Sequence, residues 1–113
     1  MAPGRSRRTG SSLDDLGRFS EPALLILISL ADGPKHGYAM TTDIRAVSGH
    51  DLGPGTLYGA IARLERLGWI EPLPPVDRRR PYRISGAGRA VLRQRLETLQ
   101  AMTRTARARL AHA

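Results

Sequence analysis

GPGTLYGAIARLERLGWI, residues 53–70, is the stretch from which the rest of the chain is best read. Its apolar residues Leu57, Ile61, Leu64 and Leu67 fall at steps of four, three and three. At about 100° per residue they share one face, so the spacing predicts an amphipathic helix. Pro54 suits a first turn, where its missing N–H would have no helical partner, and Gly68 suits a left-handed stop. The opposite face carries Gly55, Gly59, Ala62 and Arg66, flanked by Thr56, Tyr58 and Arg63. A face that is small, bare of acids and rimmed by hydroxyls and arginines can approach another surface closely. In a basic chain, the major groove of DNA is such a surface. An ordinary surface helix is two-faced in the same way, and Glu65 on the flank suits that simpler reading, so the neighbouring segments must decide.

Upstream, residues 37–48 predict another helix, with Met40, Ile44 and Val47 on one face and Gly49 as its stop. Tyr38, Thr42 and Arg45 fall on its other face. The segment ADGPKHG, residues 31–37, reads as a turn marked by Gly33-Pro34, and it sets Lys35 and His36 at the helix entrance. Helix N-termini bind phosphate well. His36 is an ordinary turn histidine rather than a metal ligand, since His50 and His112 have no ligand spacing to it. Two short helices joined by the tight link 49–53, the second with a small exposed face, make a helix-turn-helix pattern.

Further upstream, ALLILISLA at 23–31 predicts a helix starting near an N-cap at Ser20, with Glu21 and Pro22 in its first turn. It is apolar almost all round, and such a helix is covered on more than one side. One cover is the chain's own core. The other is expected to be a second subunit, with Leu24 and Leu27 as contacts. Residues 1–17, rich in Gly, Ser and Arg, read as a disordered basic arm. Arg5, Arg7 and Arg8 can graze phosphates or a minor groove, although a solvated tail is the simpler reading.

Downstream the period changes to two. WIEPL (69–73) and PYRIS (81–85) read as short strands with Ile70, Tyr82 and Ile84 able to face the core. Pro72 and Pro81 are expected to confine them to an edge or a two-stranded ribbon. PPVDRRR joins them, placing Arg78, Arg79 and Arg80 at a hairpin tip. A cationic hairpin directly after a helix-turn-helix is the wing of a winged helix, and its arginines are expected on phosphates, where most affinity originates. Ser85 then caps a long helix from about Gly86 to Leu110. Leu92, Leu96, Leu99, Thr103, Ala106 and Leu110 alternate steps of four and three, a heptad seam. That seam pairs with its twin, with the partner's first helix, or folds back on its own domain. Arg104, Arg107 and Arg109 suit a helix C-terminus.

The 113 residues suffice for one modest core, and the formal net charge of +8 implies an anionic partner. All but one of the 18 basic residues are Arg, which favours bidentate phosphate and guanine contacts, though a biased gene composition has the same result. With no cysteine, disulfides, thiolate catalysis and Cys-ligated zinc are excluded. The basic start has no apolar run of the signal-peptide kind behind it, and the run at 23–31 is about half of what spans a bilayer. A soluble, cytoplasmic protein with no membrane association is expected. No carboxylate pair, nucleophile–base pair, phosphate-cradling loop or metal set can be assembled, so no enzyme, cofactor or metal is expected. The fold class is mainly α with a small β-hairpin. Its divisions are an arm at 1–17, a winged helix-turn-helix at 18–85 and a C-terminal dimerisation helix at 86–113.

Three motifs in order, PKHGYAM (34–40), LGPGTLYGAIARLERLGWIE (52–71) and RRRPYRISGAGRAVL (78–92), resemble the PadR family of transcriptional regulators, in its subgroup with a short C-terminal helix. The resemblance runs from Leu16 to Leu99. It implies a winged-helix homodimer on double-stranded DNA with a palindromic operator, usually a repressor, often responsive to small aromatic or drug-like effectors. It implies further that Thr56 and Tyr58 lie at the bases or adjacent phosphates, and Gly55 and Arg63, on the same outer face and its flank, are expected at the DNA with them. Lys35, His36 and Tyr38 would hold backbone, and Arg78, Arg79 and Arg80 would form the grip of the wing. Gly59 departs from the pattern, standing where a longer, often polar residue is common. The terminal helix has no aromatic residue, so an aromatic drug sandwich at the dimer centre is not expected and no effector site is assigned. A non-specific nucleoid-type protein shares the charge without needing an operator, and a protein-interaction module would use the terminal helix alone.

Overall fold

The computed structural model describes residues 21–112. Helix α1 covers 21–30, the two-residue strand β1 is Lys35–His36, and helix α2 is Gly37–Ser48. Helix α3 (Pro54–Arg66) leads into strands β2 (Ile70–Pro72) and β3 (Pro81–Ile84), and helix α4 (Gly86–Ala111) ends the chain. The expected cap at Ser20 and the arm at 1–17 lie outside the described residues.

Local chemistry sets the boundaries. Gly49 stops α2 at φ 77°, sending its N–H to the Arg45 carbonyl. Pro54 opens α3, and Gly68, also at φ 77°, turns the chain out of it. The Trp69 N–H then reaches back to the Leu64 carbonyl, which closes the helix end. Ser85 caps α4 by accepting from the Gly88 N–H at 3.0 Å. Its own hydroxyl donates to the Gly68 carbonyl at 2.6 Å, so one serine fastens the end of α3 to the start of α4.

One apolar cluster holds these elements together. Leu25, Ile26, Leu27 and Leu30 of α1 meet Met40 and Ile44 of α2, Leu57, Ile61 and Leu64 of α3, Ile70, Ile84 and Leu92. Each such side chain contributes about 1.5–3 kcal/mol by leaving water. Val47 and Leu67, expected inside, are 59% and 50% exposed. Both sit at the last turn of a helix that overruns the core, so correct periodicity is not enough to bury them.

The sheet corrects the sequence reading in two respects. It has three strands in the order β1-β3-β2, all antiparallel, rather than a lone hairpin. Lys35 and His36, expected in a turn, pair with Tyr82 and Pro81. Strand β3 is therefore central despite Pro81, which is tolerated because it occupies the first position of the strand. Ile70 faces Ile84 across the β2–β3 pair, and Glu71 meets Arg83 with a 2.9 Å ion pair.

Helix α4 rises about 39 Å at 1.5 Å per residue. Only Gly88 and Leu92 of it are buried. A Cβ on Gly88 would stand 2.1 Å from the Trp69 carbonyl oxygen, so glycine lets α4 back directly onto the wing. Leu27 and Leu92, expected at a subunit contact, are placed in the chain's own core at 3% and 7% exposure and retain little area for a partner. Leu24 and Leu99 are half-buried, Leu96 and Leu110 are 45% and 76% exposed, and Ala106 is exposed. Met102, not anticipated on the seam, is 59% exposed.

Candidate nucleic-acid interface

Leu57, Ile61 and Leu64 anchor α3 in the core, which turns Gly55, Thr56, Gly59, Ala62, Arg63 and Arg66 to the outside. Glycine within a helix costs about 1 kcal/mol relative to alanine. At both Gly55 and Gly59 a Cβ would meet nothing within 4 Å, so no contact among the described residues requires the missing side chain. Beside them runs an open groove lined by Pro22 and Ala23 of α1 and by Gly55, Thr56, Gly59, Ala60 and Arg63. The border formed by α1 had no signal in the sequence, because it depends on how two separate helices cross.

Tyr58 joins this face to α2. A Cβ at Gly37 would lie 2.2 Å from the Tyr58 hydroxyl oxygen, so the phenol end rests on the bare first residue of α2. The rest of the Tyr58 side chain leaves the residue 53% exposed. Tyr38, the next residue of α2, is 70% exposed on the same rim. The glycine in HGY is thus a packing requirement of the helix-turn-helix, which the sequence reading missed.

His36 then joins α2 to the wing. Its Nδ1 accepts from the Ala39 N–H at 3.3 Å, capping α2. A ring that accepts there carries its proton on Nε2. Arg79 Nη1 lies 3.4 Å from that same Nε2. Two N–H donors facing one space suit an anion such as a phosphate oxygen.

The three wing arginines are not equivalent. The tip is Asp77-Arg78, not an arginine triplet: both have positive φ, 51° and 66°, as a two-residue type I′ hairpin turn requires. Val76 and Arg79 exchange backbone hydrogen bonds of 2.7 and 2.9 Å across it. Arg79 therefore points its side chain to His36, while Arg80 donates to the Leu73 carbonyl at 3.0 Å and braces the hairpin base. Lys35 turns inward. Its ammonium donates to the Ser29 carbonyl and, at 2.6 Å, to Asp32, which holds the Asp32 carboxyl below its ordinary range. Its side chain is only 19% exposed. Beneath the rim, Tyr82 is half-buried, and burial followed by the charge of Glu65 pushes its phenol above the usual value.

Gly55, Thr56, Tyr58, Arg63, Tyr38, Arg78 and Arg79 are thus exposed, His36 is half-buried against Arg79, and Lys35 is drawn inward. Among the described residues no three His, Cys, Asp or Glu side chains gather as a metal set. No described helix is long and apolar enough to cross a membrane.

A helix-turn-helix with its second helix bare, locked at its entrance to a cationic hairpin, defines the winged helix-turn-helix class. The chain belongs to the transcriptional regulator PadR-like family, whose model matches residues 26–94. Over 82 residues it is 46% identical to an uncharacterized 37.1 kDa protein in transposon TN4556 of Streptomyces fradiae, across 73% of this chain and 24% of that protein. It is 29% identical over 90 residues to the transcriptional activator GvpE2 of Halobacterium salinarum, across 80% of this chain and 46% of that one. The chain therefore spans about a quarter and just under half of these curated relatives. A solved transcriptional regulator from Clostridium thermocellum superposes with a TM-score of 0.70 at 28% identity, covering 80% of this chain and 93% of the other.

Proposed function

We propose that two copies of this chain bind a palindromic operator, each laying α3 in a major groove with half-sites about one helical turn (~34 Å) apart. The observation that carries the reading is the pair of glycines, Gly55 and Gly59, on an exposed helical face with nothing among the described residues to fill the space. Thr56 and the exposed edge of Tyr58 read bases from that face. Arg78 at the tip and Arg79 with His36 take phosphates on either side of the groove. Dimerisation is supported by Leu96, Met102 and Leu110, large apolar residues exposed along α4. The family resemblance supports a cytoplasmic repressor released by a small-molecule effector.

Operators selected from a random duplex pool, followed by anisotropy titrations over several salt concentrations, test the division of labour. Thr56→Ala is expected to lower operator affinity by about 1–3 kcal/mol while sparing non-specific binding. Arg78→Ala and Arg79→Ala are each expected to weaken binding to all sequences and to flatten the salt slope by about 0.9. Equal losses from both sets would refute it. Indifference of the wild type to sequence at physiological salt would instead establish the nucleoid-type reading. Sedimentation of Leu96→Glu and Leu110→Glu tests the dimer, which is expected to dissociate.

A further inference from the structure

The end of α3 and the start of α4 are fastened to each other more closely than connectivity requires, since β2 and β3 lie between them in sequence. The Ser85 hydroxyl donates to the Gly68 carbonyl at 2.6 Å, and the Ser85 N–H donates to the Trp69 carbonyl at 3.0 Å. Trp69 in turn sends its own N–H to the Leu64 carbonyl, inside α3, at 3.0 Å. Gly88, in the first turn of α4, is buried against the same Trp69 carbonyl, with no room for a Cβ. Arg89 Nη1 ties α4 to a third element, donating at 3.2 Å to the Ala31 carbonyl just past the end of α1. Beyond Leu92 no residue of α4 is buried, and the helix runs on for about 28 Å to Ala111 at 1.5 Å per residue. Capping alone does not account for Ser85, because Asp, Asn and Thr also accept from a helix N–H. A single atom that accepts from Gly88 at 3.0 Å and also donates to Gly68 must be a hydroxyl oxygen.

We infer that Ser85 is a positioning residue for operator recognition: by holding the end of α3 to the start of α4, it fixes the half-site spacing that a dimer accepts. The inference rests on the proposed function, with two copies joined through α4. In such a dimer each joint stands at the root of a long lever. A tilt of about 7° there moves the far end of the lever by ~3.4 Å, the step of one base pair. A single point of contact would permit that tilt. Here hydrogen bonds from Ser85 to two successive carbonyls, with Gly88 seated on the second of them, resist it in more than one direction. Sequence within a half-site is read from α3 itself and does not pass through this joint, so spacing and half-site preference are separable properties.

The test uses the full chain and one operator selected from a random duplex pool, with a base pair added or removed between its half-sites. Wild type, Ser85→Thr, Ser85→Asp and Ser85→Ala are titrated against each duplex by fluorescence anisotropy. Ser85→Asp keeps the cap on α4 but has no proton to give to Gly68, while Ser85→Thr keeps both. Wild type and Ser85→Thr are expected to reject the respaced operators. In Ser85→Asp and Ser85→Ala the penalty for respacing is expected to fall about thirtyfold, roughly fivefold for the hydrogen bond to Gly68 lost in each of two subunits. Half-site preference is expected to be the same in all four proteins. Thermal unfolding should leave Ser85→Asp close to wild type and lower Ser85→Ala, which has no cap. A cap by itself does not move a spacing profile, so Ser85→Ala reads the same quantity where Ser85→Asp fails to fold. Profiles as steep in these two variants as in wild type, or as shallow in Ser85→Thr as in Ser85→Ala, would overturn the inference and leave the α3 reading intact. A wild type that recognises half-sites at any spacing would do the same. A wild type with no preference for any sequence would overturn both.

Discussion

Gly59→Ala separates the two properties that the exposed face of α3 combines. Gly59 lies mid-helix with open space where its Cβ would project. Alanine there is expected to stabilise the fold by about 1 kcal/mol through helix propensity and a less flexible unfolded chain. In a domain of this size that raises Tm by about 4–8 °C per kcal/mol. The same methyl thickens the one surface that the proposed function sets against base edges. Holding the helix off by about one methyl width weakens every short hydrogen bond made from Thr56, and a loss of two contacts at about 1.4 kcal/mol each is roughly a hundredfold in affinity. Thermal unfolding followed by circular dichroism and operator binding by fluorescence anisotropy are to be read on the same preparation. The expected outcome is a more stable, weaker-binding protein. A stabilised variant that binds as tightly as wild type would show that no partner approaches this face closely. A variant with unchanged or lower Tm would show that the space above Gly59 is filled.

Gly88→Ala should behave oppositely to Gly59→Ala. Its Cβ would meet a backbone oxygen at 2.1 Å and Ile84 at 2.9 Å. Main chain cannot rotate aside, so urea unfolding is expected to show a loss of about 1–3 kcal/mol. Gly37→Ala meets only the flexible end of Tyr58, so its smaller destabilisation should be relieved by adding Tyr58→Ala, a coupling that a double-mutant cycle measures. Because Tyr82 has its phenol pushed above its ordinary value, the unfolded chain ionises first as pH rises past about 10. Its stabilising contribution is complete below that pH and lost above it as pH climbs toward the folded value. Tyr82→Phe is therefore expected to lose less stability than wild type between about pH 9 and pH 11, measured by urea midpoints.

The sequence was legible where periodicity and punctuation agree. Helices α2 and α3 begin and end where Gly37, Gly49, Pro54 and Gly68 suggest, and Ser85 caps α4 as its position implies. What could not be read depends on partners distant in the chain. A two-residue strand has no period to detect, so β1 passed for a turn and β3 for an edge. The heptad of α4 shows which residues share a stripe but not what covers it, and the chain's own core takes Leu92 from that stripe. The wing tip hid behind composition, since three arginines in a row conceal that Asp77 and Arg78 form the turn. The two kinds of glycine were also indistinguishable on paper: Gly37 and Gly88 are crowded, while Gly55 and Gly59 are bare.

Strand β1 is short, yet it has a mechanical consequence. By pairing Lys35 and His36 with β3, it joins the threshold of α2 to the hairpin in a single ribbon. If the wing rests on a sugar-phosphate ridge as proposed, a push on it would reach the root of α2 through this pairing, and α3 through the Tyr58 hydroxyl that lies over Gly37. On the proposed reading such a subunit would act as a caliper of fixed gauge, for which a groove slightly too wide or too narrow is itself a mismatch.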